Sequence, residues 1–245
     1  MGYQTLDIER RGSIATLTLN RPEARNAIDL EMRRELLVAL DEIEADEAAR
    51  VLILTGRGGH FCAGGDVKSM KAKRSSAAEG RARVEALNRM VLRLVDFPRP
   101  TIAMVEGYAV GAGTNLALCC DLIVASEGAK FGELFWKIGL ARAKELIFTA
   151  DIIDAAEAAR IGLVNRVVPA AELETVTRAL AEKIAAGPPG VLRLAKNMVN
   201  RAAVSDLAAA LDLEAYSQGI ALAGDDHQEG LAAFFEKRPP RFTGR

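Results

Sequence analysis

Long apolar runs are missing from this chain. No uncharged stretch reaches the roughly 18 residues that a membrane span needs, and the opening MGYQTLDIERRGS lacks the apolar core of a secretory leader. A cytoplasmic location is therefore the expectation. An excess of either charge is missing too. Lysine plus arginine, 32, nearly balances aspartate plus glutamate, 33, so there is no global basic field to hold a nucleic acid or an anionic membrane, and neither is expected as a partner. Cysteine is scarce: Cys62, Cys119 and Cys120 form an odd set without CxxC spacing. That argues against a disulfide framework and a structural zinc site, and for reduced thiols. With His60 and His227 the only histidines, a metal cage or a Ser/His/Asp triad would have to use one of them. The nucleophile-elbow pattern GxSxG is absent as well. No metal or redox cofactor is implied.

What is there is apolar and patterned. Half of the 245 residues are hydrophobic, enough to bury a substantial core. YQTLDIE and SIATLTL alternate apolar and polar positions across RRG, which predicts a hairpin. LEMRRELLVALDEIEAD then carries apolar residues at helical spacing behind Asp29, a candidate N-cap. VLILTG is a continuous apolar run of the kind found in a parallel sheet covered on both faces. A helical stretch from about Lys68 to Asp96 is stopped by Pro98 and Pro100. TIAMVEG, GTNLALCC and DLIVAS read as strand, helix and strand, so the fold class is α/β with right-handed crossovers. Beyond Arg142 the pattern is almost wholly helical, apart from a short strand in NRVVP; DAAEAARIG opens on an Asp-x-x-Glu capping box. The Gly-Pro-Pro-Gly at 187–190 divides a core, 1–186, from a helical region, 187–245. The apolar faces of that region exceed what three helices can bury alone, which suggests docking on the core or on another subunit.

The chemistry concentrates in two stretches of small residues, HFCAGGDVKSM and EGYAVGAGTNLALCCD. Each follows a predicted buried strand and precedes a helix, the place where open α/β sheets bind ligands. Glycine and alanine there let a ligand approach the main chain, and N–H groups at a helix N-terminus attract negative charge. Tight packing alone is the competing explanation. GAGTNL imitates a dinucleotide fingerprint, but Leu116 occupies the sixth position and no acidic residue ends a second strand about 20 residues on. Cys62, among apolar and small neighbours, reads as a small buried hydrophobe rather than a nucleophile.

Five segments, LTLNRPEARNAID, VLILTGRGGHFCAGGDVKSM, PTIAMVEGYAVGAGTNLALCCDLIVASEGAKFG, AAEAARIGLVNRVVP and EGLAAFFEKRPPRF, together resemble the enoyl-CoA hydratase/isomerase (crotonase) superfamily, in order and over nearly the whole chain. The resemblance implies a repeated ββα spiral core with a C-terminal helical trimerisation region, and a homotrimer or a hexamer built as a dimer of trimers. It implies an acyl-CoA thioester as substrate, CoA arriving with it rather than as a cofactor. It also implies an oxyanion hole made by the peptide N–H groups of Gly65 and Ala112; removing one such donor costs about 3 to 4 kcal/mol of barrier. For CoA it points to the Ala63 carbonyl and Asp66 near the adenine, Arg25 beside the nucleotide, and Lys68 and Lys237 near phosphates, Lys237 coming from a neighbouring subunit. A solvated surface charge is the alternative for Arg25, Lys68 and Lys237.

Two departures bear on the reaction. Where a typical hydratase has its two glutamates this chain has Asn115 and Phe135, neither able to transfer a proton as a carboxylate does. And FGELFWKIGL runs directly into ARAKELIFTA, where family members carry roughly a dozen or more further residues, too many for ordinary loop variation. Either the loop is deleted, which would open the acyl pocket, or a mobile loop is missing from the sequence, and such a loop can carry an aspartate serving as sole acid/base. Glu133 is the nearest carboxylate left. Double-bond isomerisation is favoured over hydration, because one carboxylate suffices for a 1,3 proton shift. A non-catalytic acyl-CoA-binding or scaffold protein, or a crotonase-fold hydrolase or decarboxylase, is the alternative.

Overall fold

The structure is a computed structural model, and it describes residues 2–66, 76–132 and 140–245. The hairpin forms as expected: β1 (Leu6–Arg11) and β2 (Ile14–Leu19) pair antiparallel across Gly12, whose φ of 59° suits a residue without a Cβ. Helix α1 (Leu30–Ala45) starts where Asp29 accepts a hydrogen bond from the Met32 N–H at 2.8 Å. Then come β3 (Val51–Gly56), α2 (Ala77–Val95), β4 (Thr101–Val105), β5 (Tyr108–Val110) and α3 (Ala112–Cys119). They are followed by β6 (Leu122–Ser126), β7 (Lys130–Gly132), α4 (Leu140–Thr149), β8 (Ile152–Asp154), α5 (Ala155–Arg160) and β9 (Arg166–Val168). Helices α6 (Leu173–Ala185), α7 (Pro189–Ala202), α8 (Leu207–Ala223) and α9 (Asp225–Glu236) complete the chain.

One six-stranded sheet runs β1-β2-β3-β4-β6-β9, parallel except for the β1–β2 pair. A second, smaller sheet, β5-β7-β8, stands beside it. The register explains the unbroken apolar run of β3. Successive side chains of a strand point to opposite faces, so Leu52 and Leu54 enter the main core with Leu36, Leu40 and Phe97. Val51 and Ile53 face the other way and meet Leu173 and Leu180 of α6. Both faces of the strand are therefore covered. Phe61, Phe97 and Phe131 are among the largest fully buried side chains, each worth about 1.5–3 kcal/mol of transfer free energy.

Two local expectations need correction. Ile152–Asp154, in the part read as almost wholly helical, is a strand antiparallel to β7; three residues are too few to show an alternation, and pairing decides the matter. The helix read from Lys68 to Asp96 starts at Ala77 among the described residues, behind a reciprocal capping box between Ser76 and Glu79; residues 67–75 lie outside the described set. Leu140 and Ala141 are consecutive residues of α4, so the chain passes the join between FGELFWKIGL and ARAKELIFTA within one helix.

The C-terminal helices are tied to the core at few points. Arg50 donates to the Phe242 carbonyl at 2.8 Å. Lys196 of α7 pairs with Asp121 at 2.9 Å. Much apolar surface stays uncovered on α8 and α9: Leu207, Tyr216, Phe234 and Phe235 are each more than 70 % exposed. No helix among the described residues is long and apolar enough to cross a membrane.

Ala150, just after α4, holds φ at 56°, where a Cβ crowds the following carbonyl. Ala150→Gly is expected to stabilise the protein by about 0.5–1 kcal/mol. Urea titration at a fixed protein concentration would show this as a raised midpoint with unchanged slope; a lowered midpoint would contradict the strain.

Candidate functional site

The two glycine-rich stretches meet, and they meet backbone to backbone. After β3 the chain turns through 57–60 and runs extended over Phe61–Asp66, hydrogen-bonded on both sides. Toward β5, the Phe61 N–H donates to the Glu106 carbonyl at 2.8 Å and the Cys62 N–H to the Tyr108 carbonyl at 2.9 Å, while the Cys62 carbonyl accepts from the Val110 N–H at 3.1 Å. Toward the segment ahead of α1, the Ala63 N–H donates to the Arg25 carbonyl at 2.9 Å, the Gly64 carbonyl accepts from the Ile28 N–H at 2.7 Å, and the Asp66 N–H donates to the Ile28 carbonyl at 3.1 Å. In this parallel bridge Ile28 is served by the residues on either side of Gly65. The N–H of Gly65 is thus directed away from Ile28 and makes no hydrogen bond to a described residue.

Absent side chains allow the contact. At Gly113 an added Cβ would lie 2.1 Å from the Cys62 carbonyl oxygen. At Gly64, with φ at 90°, it would lie 2.8 Å from the Val110 carbonyl oxygen and 3.4 Å from the Ala112 nitrogen. Gly111, with φ at 55°, is the N-cap of α3 and donates to the Gly132 carbonyl at 3.1 Å. The hydroxyl of buried Thr114 sits 2.5 Å from the Ala109 carbonyl and 2.8 Å from that of Gly132, joining α3 to β5 and β7. Ala112 is then the first residue of a helix, where a backbone N–H has no intrahelical acceptor.

Sequence reasoning missed the residue that holds the preceding loop. Asn26, fully buried with φ at 57°, donates through Nδ2 to the carbonyls of Arg57 at 2.8 Å and His60 at 2.7 Å, and accepts from the Arg21 N–H at 2.9 Å. The sequence offered only the residue type as a signal, since asparagine tolerates the left-handed conformation seen at 25 and 26 and makes local side-chain bonds. Arg21 also pairs with Asp66 at 3.2 Å and Asp29 at 3.1 Å. The Asp66 carboxylate is thereby tied to the loop framework.

The other predicted residues fall as follows. Arg25, Ala63 and Asp66 come together through the extended pairing, with the Arg25 guanidinium 5.7 Å from the centre of the Tyr108 ring and that ring 5.3 Å from His60. The Ala63 carbonyl accepts no hydrogen bond from a described residue. Lys237 is the exposed C-cap of α9, whose main neighbour is α8, and the single chain does not bring it to the others. Lys68, Phe135 and Glu133 lie outside the described residues. Cys62 is completely buried, and burial pushes its thiol up to about 12. It is not a thiolate near neutral pH.

Beside Ala112 a cavity of about 380 Å³ opens between α2 and α3. Leu87 and Val91 face Leu118 across it, and Asn88 and Asn115 supply its side-chain amides. No described carboxylate lines it. A main-chain cradle with two uncommitted N–H groups and an apolar chamber can polarise a carbonyl; proton transfer would need a group from elsewhere.

A family model described as "Enoyl-CoA hydratase/isomerase" matches residues 9–245. The chain is 40 % identical over 261 residues to a probable enoyl-CoA hydratase of Mycobacterium bovis, and 36 % identical over 263 residues to a crotonyl-CoA hydratase of Syntrophomonas wolfei, each comparison covering both chains fully. A crystal structure of enoyl-CoA hydratase from Bacillus anthracis superposes with a TM-score of 0.93 at 34 % identity, covering 99 % of this chain and 100 % of the other. The first alignment, 261 positions against 245 residues, leaves 16 positions of the relative without a counterpart here.

Two outcomes follow from the buried framework. Asn26→Ala leaves two carbonyls without their donor, and a loss of about 3 kcal/mol is expected in chemical denaturation; a loss under about 1 kcal/mol would show that the loop holds itself. Thiol titration with a disulfide reagent at pH 8 is expected to count none of Cys62, Cys119 and Cys120 in the folded protein, all three being buried, and all of them after denaturation. Rapid native labelling of Cys62 would overturn the packing described.

Proposed function

Since the chain belongs to the enoyl-CoA hydratase/isomerase family, we propose that it binds an acyl-CoA thioester and stabilises the enolate of that thioester with the N–H groups of Gly65 and Ala112. The observation that carries this reading is the locked contact of the two glycine turns, which leaves both N–H groups without a partner among the described residues while Gly113 and Gly64 allow the backbones to touch. Donors set in advance against developing charge need no reorganisation as the reaction proceeds. Arg25 and the Ala63 carbonyl, on the outer side of the same extended segment, would hold the nucleotide end. Lys68 and a neighbouring subunit's copy of Lys237 would meet its phosphates. The uncovered apolar faces of α8 and α9 would be the contact between subunits of a trimer, or of a hexamer made of two trimers.

Of the two family reactions, double-bond isomerisation is favoured. Hydration in the two-glutamate manner needs one carboxylate to activate water and a second to deliver a proton. Asn115 occupies one of those places and Phe135 the other. The two readings of the join after Leu140, a deletion or a loop aspartate serving as sole acid/base, both lead to one-carboxylate chemistry. A single carboxylate is then enough for a 1,3 shift, and Glu133 is the one left nearest in sequence. A second reading, acyl-CoA binding without turnover, is favoured by the absence of any described carboxylate from the cavity.

Three assays separate these. Incubation with a 3-enoyl-CoA is expected to yield the 2-enoyl isomer faster than crotonyl-CoA is hydrated; faster hydration would sink the isomerase preference. Binding without either conversion would establish the second reading. In Ala112→Pro one N–H donor is deleted at a first helical position, where proline is tolerated. The variant should melt close to the parent while kcat/KM falls about 100-fold or more; unchanged turnover would remove Ala112 from the oxyanion hole.

A further inference from the structure

One backbone donor close to the site is held by a side chain where the strand pattern calls for a carbonyl. Along the bridge between Cys62 and Ala109, Cys62 donates to the Tyr108 carbonyl at 2.9 Å and accepts from the Val110 N–H at 3.1 Å. Continued by one step, parallel pairing would give the Tyr108 N–H to the His60 carbonyl. That carbonyl is already engaged, accepting from Asn26 Nδ2 at 2.7 Å. The imidazole of His60 takes its place, with Nδ1 accepting from the Tyr108 N–H at 3.3 Å. The turn between β4 and β5 is shaped to admit the ring. A Cβ at Gly107, where φ is 54°, would lie 2.4 Å from His60 Nδ1 and 2.2 Å from the Gly59 carbonyl oxygen. The ring is half-buried and packs 5.3 Å from that of Tyr108.

We infer that His60 is a positioning residue for the oxyanion hole: its neutral imidazole fixes the start of β5, and its protonation releases that end. The inference rests on the acyl-CoA reading above. The path to the hole is short, because β5 spans only Tyr108–Val110 and continues through Gly111 into Ala112. A neutral imidazole has one acceptor nitrogen, whereas an imidazolium carries a proton on both. The added proton would face the Tyr108 N–H, donor against donor, and the bond would be lost. Histidine is the side chain that ordinarily changes charge between pH 5 and 8. The bond therefore belongs to the upper end of that interval and is lost toward the lower. The described charged and titratable groups on the elements around the ring are Arg25 ahead of α1, Arg57 in the same turn, Glu106 and the Tyr108 phenol across it, and Lys130, which β7 sets in register with Tyr108. All of them stay in place in a variant at position 60, so the variant isolates the imidazole. Pairing with β7 and the Thr114 hydroxyl on the Ala109 carbonyl keep the rest of β5 in place. Release is a loosening of one strand end rather than unfolding.

Site-resolved hydrogen exchange of the full chain at pH 8 and pH 5, expressed as protection relative to an unfolded peptide at the same pH, tests the bond. Protection of the Tyr108 N–H is expected to fall about tenfold in the parent at the lower pH. In His60→Asn, whose Oδ1 stands where Nδ1 stood and takes up no proton, protection should hold at both. Calorimetric titration with butyryl-CoA tests the consequence for the site. Between the same pH values the parent should lose about fivefold more affinity than His60→Asn, which keeps His227 and meets the same ligand phosphates. A merely structural His60 would change stability and leave this pH dependence alone. Equal protection at both pH values in the parent, a fall that persists in His60→Asn, or affinities that change alike in the two proteins would overturn the inference and leave the acyl-CoA reading standing. Failure of butyryl-CoA to bind the parent at pH 8 would overturn that reading, and the inference with it.

Discussion

Everything at this site depends on a contact in which a glycine Cα replaces a side chain. The Cys62 carbonyl lies against Gly113, and Gly64 lies against the main chain of Val110 and Ala112. Sheet hydrogen bonds on both sides of Phe61–Asp66 hold one partner, and Gly111 and Thr114 anchor the other on Gly132. A methyl group at Gly113 would force the helix off the extended segment. The two turns are therefore one rigid body, in which the place of every peptide N–H follows from packing rather than from any reactive side chain.

This arrangement separates two parts of catalysis that are often discussed together. Polarising a thioester carbonyl needs only oriented dipoles, and the backbone provides them. Moving a proton needs a titratable group within hydrogen-bond reach, and the described wall of the cavity offers amides instead. Cys62, central in sequence to the motif, contributes nothing of the kind, because burial holds its thiol protonated.

Long elements were legible from pattern alone. β3 shows as a continuous apolar run because both of its faces are covered, and α1 begins at Asp29 because an aspartate there satisfies a free N–H of the first turn. The strands of the smaller sheet were not legible. Three residues carry no periodicity, and Ile152–Asp154 becomes a strand only because β7 is there to pair with it. Arg25, Ala63 and Asp66 were named from motif resemblance, and the pairing of 25–28 with 63–66 is what makes them neighbours. Asn26 was passed over, although it holds the loop, because a buried amide cannot be told from a surface one by its spacing.

By itself the sequence determined the α/β alternation, the helix caps and the two places where side chains had to be absent. It determined as well that Asn115 would stand where a carboxylate could have stood, since that is a matter of residue identity. Tertiary structure alone decided that the two glycine stretches, nearly fifty residues apart, would touch, and that Asn88 and Asn115 would face one chamber. The physical reason is range. Caps, turns and periodicity act over one or two turns of chain, whereas the contact of Gly113 with Cys62 and the shared wall of α2 and α3 exist only once the sheet has brought distant segments within van der Waals distance.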